Sequence, residues 1–325
     1  MNRRRFVVLI SGALAAPIVL GQQSGRIFRV GFLSALSSRE TVPFRDAFLL
    51  AMSNLGYVAG KDLLLTERYA DGKVEGLHGL AADLVQLKVD LIFTATAQAV
   101  GAVQRATTSI PIVFVAVSDP VKLGFAESVA RPGRNLTGLS NFAGDLAPKR
   151  LELLKETLPT LSRVALLVNP GNPNSPGLIK RVQTAAESIG LQVVTVDSQS
   201  PEDIEFAFSS MRRERAGAVL VSGDTYHFEQ RARIAEAAMK RRIASIFPFR
   251  ECAEAGGLMS YGTDVAHQFR QAATYVDKIL KGAKPGELPI EQPTRFDFVV
   301  NLKTAKAMGL AIPPTVLLRA DRVIE

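Results

Sequence analysis

From residue 29 to 117 short β-rich runs alternate with amphipathic stretches, and from 163 to 221 the same order returns. In the first pass, residues 29–34, 63–68, 89–94 and 112–117 read as strands, and 44–55, 74–87 and 98–106 as helices. In the second, strands at 163–168, 192–196 and 218–221 enclose a helix that stops at Gly190 and another over 202–213. Gly56 and Gly190 stand where a helix C-cap needs a residue free to adopt positive φ. Strands alternating with helices predict a parallel sheet covered on both faces. The two passes also keep register. Val30 and Val164 are 134 positions apart, as are Gly56 and Gly190, whereas Leu91 and Ala218 are 127 apart, so the second copy is seven residues shorter. The pattern therefore predicts an α/β chain of two similar doubly wound parallel-sheet lobes. They join near residues 141–148, with more than one crossing that would serve as a hinge.

In such sheets ligands sit beyond the C-terminal ends of the strands. That rule selects residues 34–38, 94–98 and 118–120 in the first lobe, and 169–175, 222–226 and 247–250 in the second. These loops carry Ser34, Ser37, Thr94, Thr96, Ala97, Ser118, Asn169, Asn174 and Ser175. Ser175 before Pro176 reads as an N-cap with proline at the first helical position. Free N–H groups at such a start can hold a carboxylate or phosphate; the alternative is that the same residues only cap. Asp119 and Asp224 place negative charge at strand ends in opposite lobes, and aligning the copies sets Asp224 opposite Ala97. One reading gives Asp224 to a ligand ammonium, with Thr96 and Ser118 at its carboxylate. On that reading Asp224→Asn weakens binding and leaves stability nearly unchanged. The other reading makes Asp224 the cap of a helix beginning near Tyr226, and the same change is then almost silent. Phe142, Tyr226, Phe249 and Tyr261 are candidate walls.

Enzyme signatures are missing: no Gly-x-Ser-x-Gly elbow, Walker loop, Gly-x-Gly-x-x-Gly or His-Glu-x-x-His occurs. The three histidines are scattered, and Cys252 is the only cysteine, which excludes an intrachain disulfide and a cysteine-built metal site. No catalytic residue, metal or cofactor is expected. A hydrophobic content of 47% with 22% charged residues is globular, and the length suits two domains. The amino terminus combines Arg3, Arg4 and Arg5 with an apolar run too short and too broken for a span. That is the pattern of a secretory signal over residues 1–21, with Arg4, Arg5 and Phe6 also fitting a twin-arginine motif loosely. The formal charge of +8 falls to +5 without the three signal arginines. The remaining basic clusters, at 212–215 and 240–242, fall where helices end before strands, so they complement helix dipoles and nucleic acid is not a partner.

Three segments carry a resemblance: IPIVFVAVSDPV (110–121), RPGRNLTG (131–138) and GLMSYG (257–262). With DKILKGAKP (277–285) and VNLKTA (300–305), they are similar to the ABC transporter substrate-binding family that includes tryptophan- and tyrosine-type binders. The resemblance implies a type I periplasmic binding fold with three hinge crossovers and a small polar ligand, an amino acid or related compound, trapped between closing lobes. It also implies a first lobe of residues 26–141 plus 256–283 and a second of 142–255 plus 284–325. Thr96, Ser118, Asp119, Asn169, Asn174, Ser175 and Asp224 occupy the family's binding places, with Ala97 replacing the proline usual after the threonine; Ser34 and Tyr261 complete the candidate set. The implied protein is a periplasmic monomer serving an inner-membrane ABC permease. A sensory module for a chemoreceptor or kinase, or an exported enzyme, is the alternative.

Overall fold

The computed structural model describes residues 26–325, so the expected signal segment lies outside the described residues. The first lobe runs β1 (Phe28–Ser34), α1 (Ser38–Asn54), β2 (Leu63–Tyr69), α2 (Leu77–Gln86), β3 (Leu91–Ala95), α3 (Ala97–Ala106), β4 (Ile112–Val117) and β5 (Leu136–Ser140). The chain then crosses to α4 (Ala147–Thr157), β6 (Arg163–Val168), α5 (Ser175–Ser188), β7 (Gln192–Asp197), α6 (Pro201–Arg213) and β8 (Ala218–Val221). It continues through α7 (Thr225–Glu229), α8 (Arg231–Lys240), β9 (Ala244–Phe247), α9 (Arg250–Glu254) and β10 (Met259–Gly262). Last come α10 (Val265–Leu280), β11 (Asp297–Asn301), α11 (Leu302–Met308), α12 (Pro314–Leu317) and β12 (Arg322–Ile324).

The first sheet has order β2-β1-β3-β4-β5, all parallel. The second repeats that order as β7-β6-β8-β9-β10 and extends it with β11, antiparallel, and β12. The sequence offsets correspond to equal places in the two sheets. Val30 pairs with Leu65 and Leu91; Val164, its counterpart, pairs with Val193 and Ala218. Central strands such as β3 and β8 are buried along their whole length, which is why they read as unbroken apolar runs.

Three local differences have physical causes. Helix α1 starts at Ser38 rather than 44, because Ser37 caps it and Thr41, Phe44, Phe48 and Met52 form one buried face. Helix α5 starts at Ser175 itself, with Asn174 as its cap residue and Pro176 second. Strand β5 was not expected. Its centre is Gly138, where a Cβ would meet the Phe114 carbonyl oxygen at 2.0 Å, so only glycine lets β4 and β5 approach.

The lobe boundaries also need correction. The return of 256–283 to the first lobe holds only for α10, which packs on α1 and β4. Strand β10 belongs to the second sheet, where Met259 and Ser260 pair with Ile246 and Phe247, and Met259 also pairs with Val300 of β11. Residues after 284, expected in the second lobe, first run along β5: Ser140 N donates to Glu291 O at 2.9 Å. The chain therefore crosses near 141–146, at 263–264 and near 292–296. Side chains tie the first two crossings together. Thr263 Oγ1 donates to Asn141 O (2.7 Å), and Gln268 Nε2 to Ser140 O (2.5 Å). Arg150, fully buried on α4, donates from Nη1 to Tyr261 O (3.0 Å) and from Nη2 to Ala143 O. Burial lowers its pKa to about 9, so it stays charged at neutral pH.

Candidate ligand cleft

In each sheet the strand order reverses beside the first strand, between β1 and β3 and between β6 and β8. A parallel sheet opens a crevice at that point, and here the two crevices face each other across one cavity. The first lobe lines it with Ser34, Thr96, Ala97 and Ser118, and the second with Asn172, Asn174, Asp224 and Thr225. Phe44 and Phe269 from the first lobe and Phe228 and Phe249 from the second form its apolar walls.

Backbone strain gathers at the C-terminal ends of the first sheet's strands. Thr96 has φ 76° and ψ 153°, a region that side-chain-bearing residues rarely enter, and Ala116 and Phe142 have φ of 59° and 51°. Strain of this kind costs of order 1–3 kcal/mol per residue and concentrates at ligand clamps. Thr96 makes no capping bond, so the first N–H groups of α3 have no side-chain acceptor, and its buried Oγ1 has no partner. Thr225 Oγ1, on the other lobe, is likewise buried without a partner. Ser34 Oγ is already engaged with Thr41 Oγ1 (3.0 Å), and Ser118 Oγ with Asn141 Oδ1 (3.0 Å).

Asp224 is the cap of α7, as one of its two readings has it, and it also borders the cavity. Its Oδ1 accepts from Tyr226 N (2.8 Å), His227 N (3.4 Å) and Asn169 Nδ2 (3.0 Å), which caps α7. Its Oδ2 accepts only from Asn172 Nδ2 (2.8 Å) and keeps a lone pair. The carboxylate is buried, yet it borders the cavity.

Behind it lies His227, fully buried. Nε2 stands 3.2 Å from the Ser198 carbonyl oxygen and must carry the proton, while Nδ1 accepts from Ser222 Oγ at 3.0 Å. Burial pushes its pKa below the ordinary value, and the Asp224 charge opposes that only in part. The unfolded chain therefore binds more protons than the folded one below about pH 6.5. Stability will fall as pH drops through that window, with a limiting slope of about 1.4 kcal/mol per pH unit from this group. Urea unfolding of wild type and His227→Gln at pH 7 and 5 checks this. Equal losses in the two proteins refute it.

Four of the ten candidate site residues lie outside the cavity, as do Phe142 and Tyr226 of the candidate walls. Asp119 caps the turn after β4, accepting from Lys122 N (3.0 Å), and borders a separate cleft-mouth hollow. Asn169 supports Asp224 from behind, and Ser175 donates to Asn169 O (2.7 Å). Tyr261 packs tilted against Phe296 and edge-on against Phe298 near the hinge, since its strand belongs to the second sheet. Sequence reasoning missed Phe44, Phe228, Phe269, Asn172 and Thr225. Phe44 and Phe269 carry helical apolar spacing that reads as core, whereas Asn172 and Thr225 fall within the loops that the strand-end rule selects.

A family model described as ABC transporter substrate binding protein matches residues 30–324. The chain is 24% identical over 266 residues to a tyrosine-binding protein of Clostridioides difficile, covering 82% of this chain and 76% of that protein. A conserved domain protein from Vibrio cholerae superposes with TM-score 0.86 at 26% identity, covering 92% of this chain and all of that one. The ABC domain from Streptococcus pneumoniae in complex with L-Trp superposes with TM-score 0.85 at 23% identity, again covering 92% of this chain and 100% of that one. Among the described residues no helix is long and apolar enough to cross a membrane. With two lobes around a cleft and a family match over nearly every described residue, the chain belongs to the ABC transporter substrate binding protein family, whose members bind ligands and are not enzymes.

Proposed function

We propose that this protein captures an α-amino acid with an apolar or aromatic side chain and delivers it to an ABC permease. The observation that carries this reading is the division of charge across the cavity. A buried carboxylate, Asp224, borders it from one lobe, while the other lobe offers the uncapped start of α3 and the free Thr96 hydroxyl. An α-amino acid bears an ammonium beside a carboxylate and needs just such unlike partners on two sides. Four phenylalanines supply the wall for its side chain. The tyrosine-binding and L-Trp-bound relatives support the same class. The signal pattern of residues 1–21 supports export to the periplasm, where the protein acts as a monomer beside the inner-membrane permease.

Isothermal titration of ligand-stripped protein with L-tryptophan, L-tyrosine and L-leucine, and with tryptamine and tyramine, tests the reading. At least one amino acid should bind, and loss of its carboxylate should weaken binding tenfold or more, as about 1.4 kcal/mol of lost contact requires. Equal binding of amine and amino acid, or binding by none of the amino acids, overturns it.

A further inference from the structure

We propose that Glu229 and Arg231 form a latch that holds the lobes closed: they are positioning residues for capture that do not line the cavity. Both stand at the α7–α8 junction of the second lobe and reach the N-terminus of α1 in the first. Ser37 N donates to Glu229 Oε1 at 2.5 Å, and Ser37 Oγ lies 3.4 Å from Oε2. Arg231 Nη2 pairs with Glu40, and both side chains are only 19% exposed. The guanidinium is held in place from its own lobe, since Nη1 donates to Phe228 O (2.9 Å) and the group lies over the Phe228 ring at 4.7 Å.

The junction is mechanically tied to the site. Helix α7 begins at the Asp224 cap and ends at Glu229, so four residues separate the buried site anion from the latch carboxylate. Phe228, between them, lines the cavity and meets Phe44 of α1 with ring centroids 6.1 Å apart. A displacement of α7 at the site is therefore transmitted to the latch. The contacts themselves are specific to closure. A carboxylate is favoured at the start of the 17-residue α1, and burial raises the Glu229 carboxyl while the Ser37 donors oppose that rise. Opening returns all four groups to water and forfeits each bond. Interactions made only in one state shift the population toward it, and apparent affinity follows the competent fraction.

The inference rests on the capture reading, and its test separates the two. Spin labels at Gln86→Cys and Arg212→Cys, exposed positions in opposite lobes, report the interlobe distance by pulsed electron resonance; the native Cys252 is buried. Spectra are taken without ligand and with excess L-tryptophan. The closed-to-open ratio should fall about tenfold in Glu229→Gln/Arg231→Gln. The exchanged pair Glu40→Arg/Arg231→Glu should recover part of the closed population that either single change loses, which a loss of folding would not. Identical distance distributions in wild type and variant overturn the latch, as does a wild type with no closed population in either condition. A closed fraction that depends on Glu229 and Arg231 but ignores L-tryptophan supports the latch and counts against L-tryptophan as the ligand.

Discussion

Arg150→Ala will destabilise the protein by about 4 kcal/mol, and Arg150→Met by about 2 kcal/mol. The guanidinium is fully buried and has no carboxylate partner among the described residues; it satisfies two backbone carbonyls, Ala143 O beside the first crossing and Tyr261 O beside the second. Methionine keeps most of the volume but abandons both acceptors, at about 1–3 kcal/mol for each unsatisfied buried group. Alanine adds a cavity. An opposing effect exists, because replacing a buried charge with a well-packed apolar residue often stabilises by about 1–4 kcal/mol. The carbonyls should decide the sign here, since they cannot move without displacing hinge strands. Urea unfolding monitored by far-UV circular dichroism measures both variants. Wild-type or higher stability in Arg150→Met would show that the buried charge costs more than its two hydrogen bonds return.

Arg150 also shows where sequence reading stops. In the sequence it is one cation in a helix rich in Lys149, Glu152 and Lys155; only packing reveals that it shares the face of Ala147, Leu151 and Leu154. The sheets were legible for the opposite reason. Parallel strands buried on both faces leave continuous apolar runs, and a repeated fold repeats their spacing, so Val30 and Val164 could be matched without coordinates. Strand β5 was hidden because Gly138 has poor strand propensity and is required by backbone proximity alone. The lobe of β10 was misplaced because its segment was assigned by resemblance, although Met259 pairs with Ile246 of the preceding strand β9 as well as with Val300 of β11. The cleft followed the same division. The rule that sites form at strand ends found Ser34, Thr96, Ser118 and Asp224, each set by a strand terminus. The walls came from helices, where Phe44 and Phe269 have ordinary core periodicity and nothing distinguishes a cavity-facing ring from a packed one.

Asp224→Asn will weaken amino-acid binding by about ten- to a hundredfold, the loss of one charge-assisted bond worth about 1.5–3 kcal/mol. It will also lower stability by about 1–3 kcal/mol, which departs from the near-silent stability expected of an exchange between two good capping residues. The cap itself survives, because asparagine Oδ1 can still accept from Tyr226 N and from Asn169 Nδ2. The cost arises at the other atom. Asparagine puts an amide N–H₂ where Oδ2 now accepts from Asn172 Nδ2 at 2.8 Å, so two donors face each other. Asn172 cannot relieve this by turning over, since its own Oδ1 accepts from Asn174 N at 2.9 Å and holds the loop before α5. Asp224→Asn/Asn172→Asp restores a donor–acceptor pair between the two positions and moves the charge by one side chain. The double variant should therefore regain much of the lost stability while remaining weak in binding, because the anion no longer stands at the head of α7. Thermal unfolding and titration calorimetry with L-tryptophan on the single and double variants separate the two effects. Wild-type affinity in Asp224→Asn removes Asp224 from ligand recognition, and wild-type stability in the same variant removes the Asn172 contact from the account of the fold.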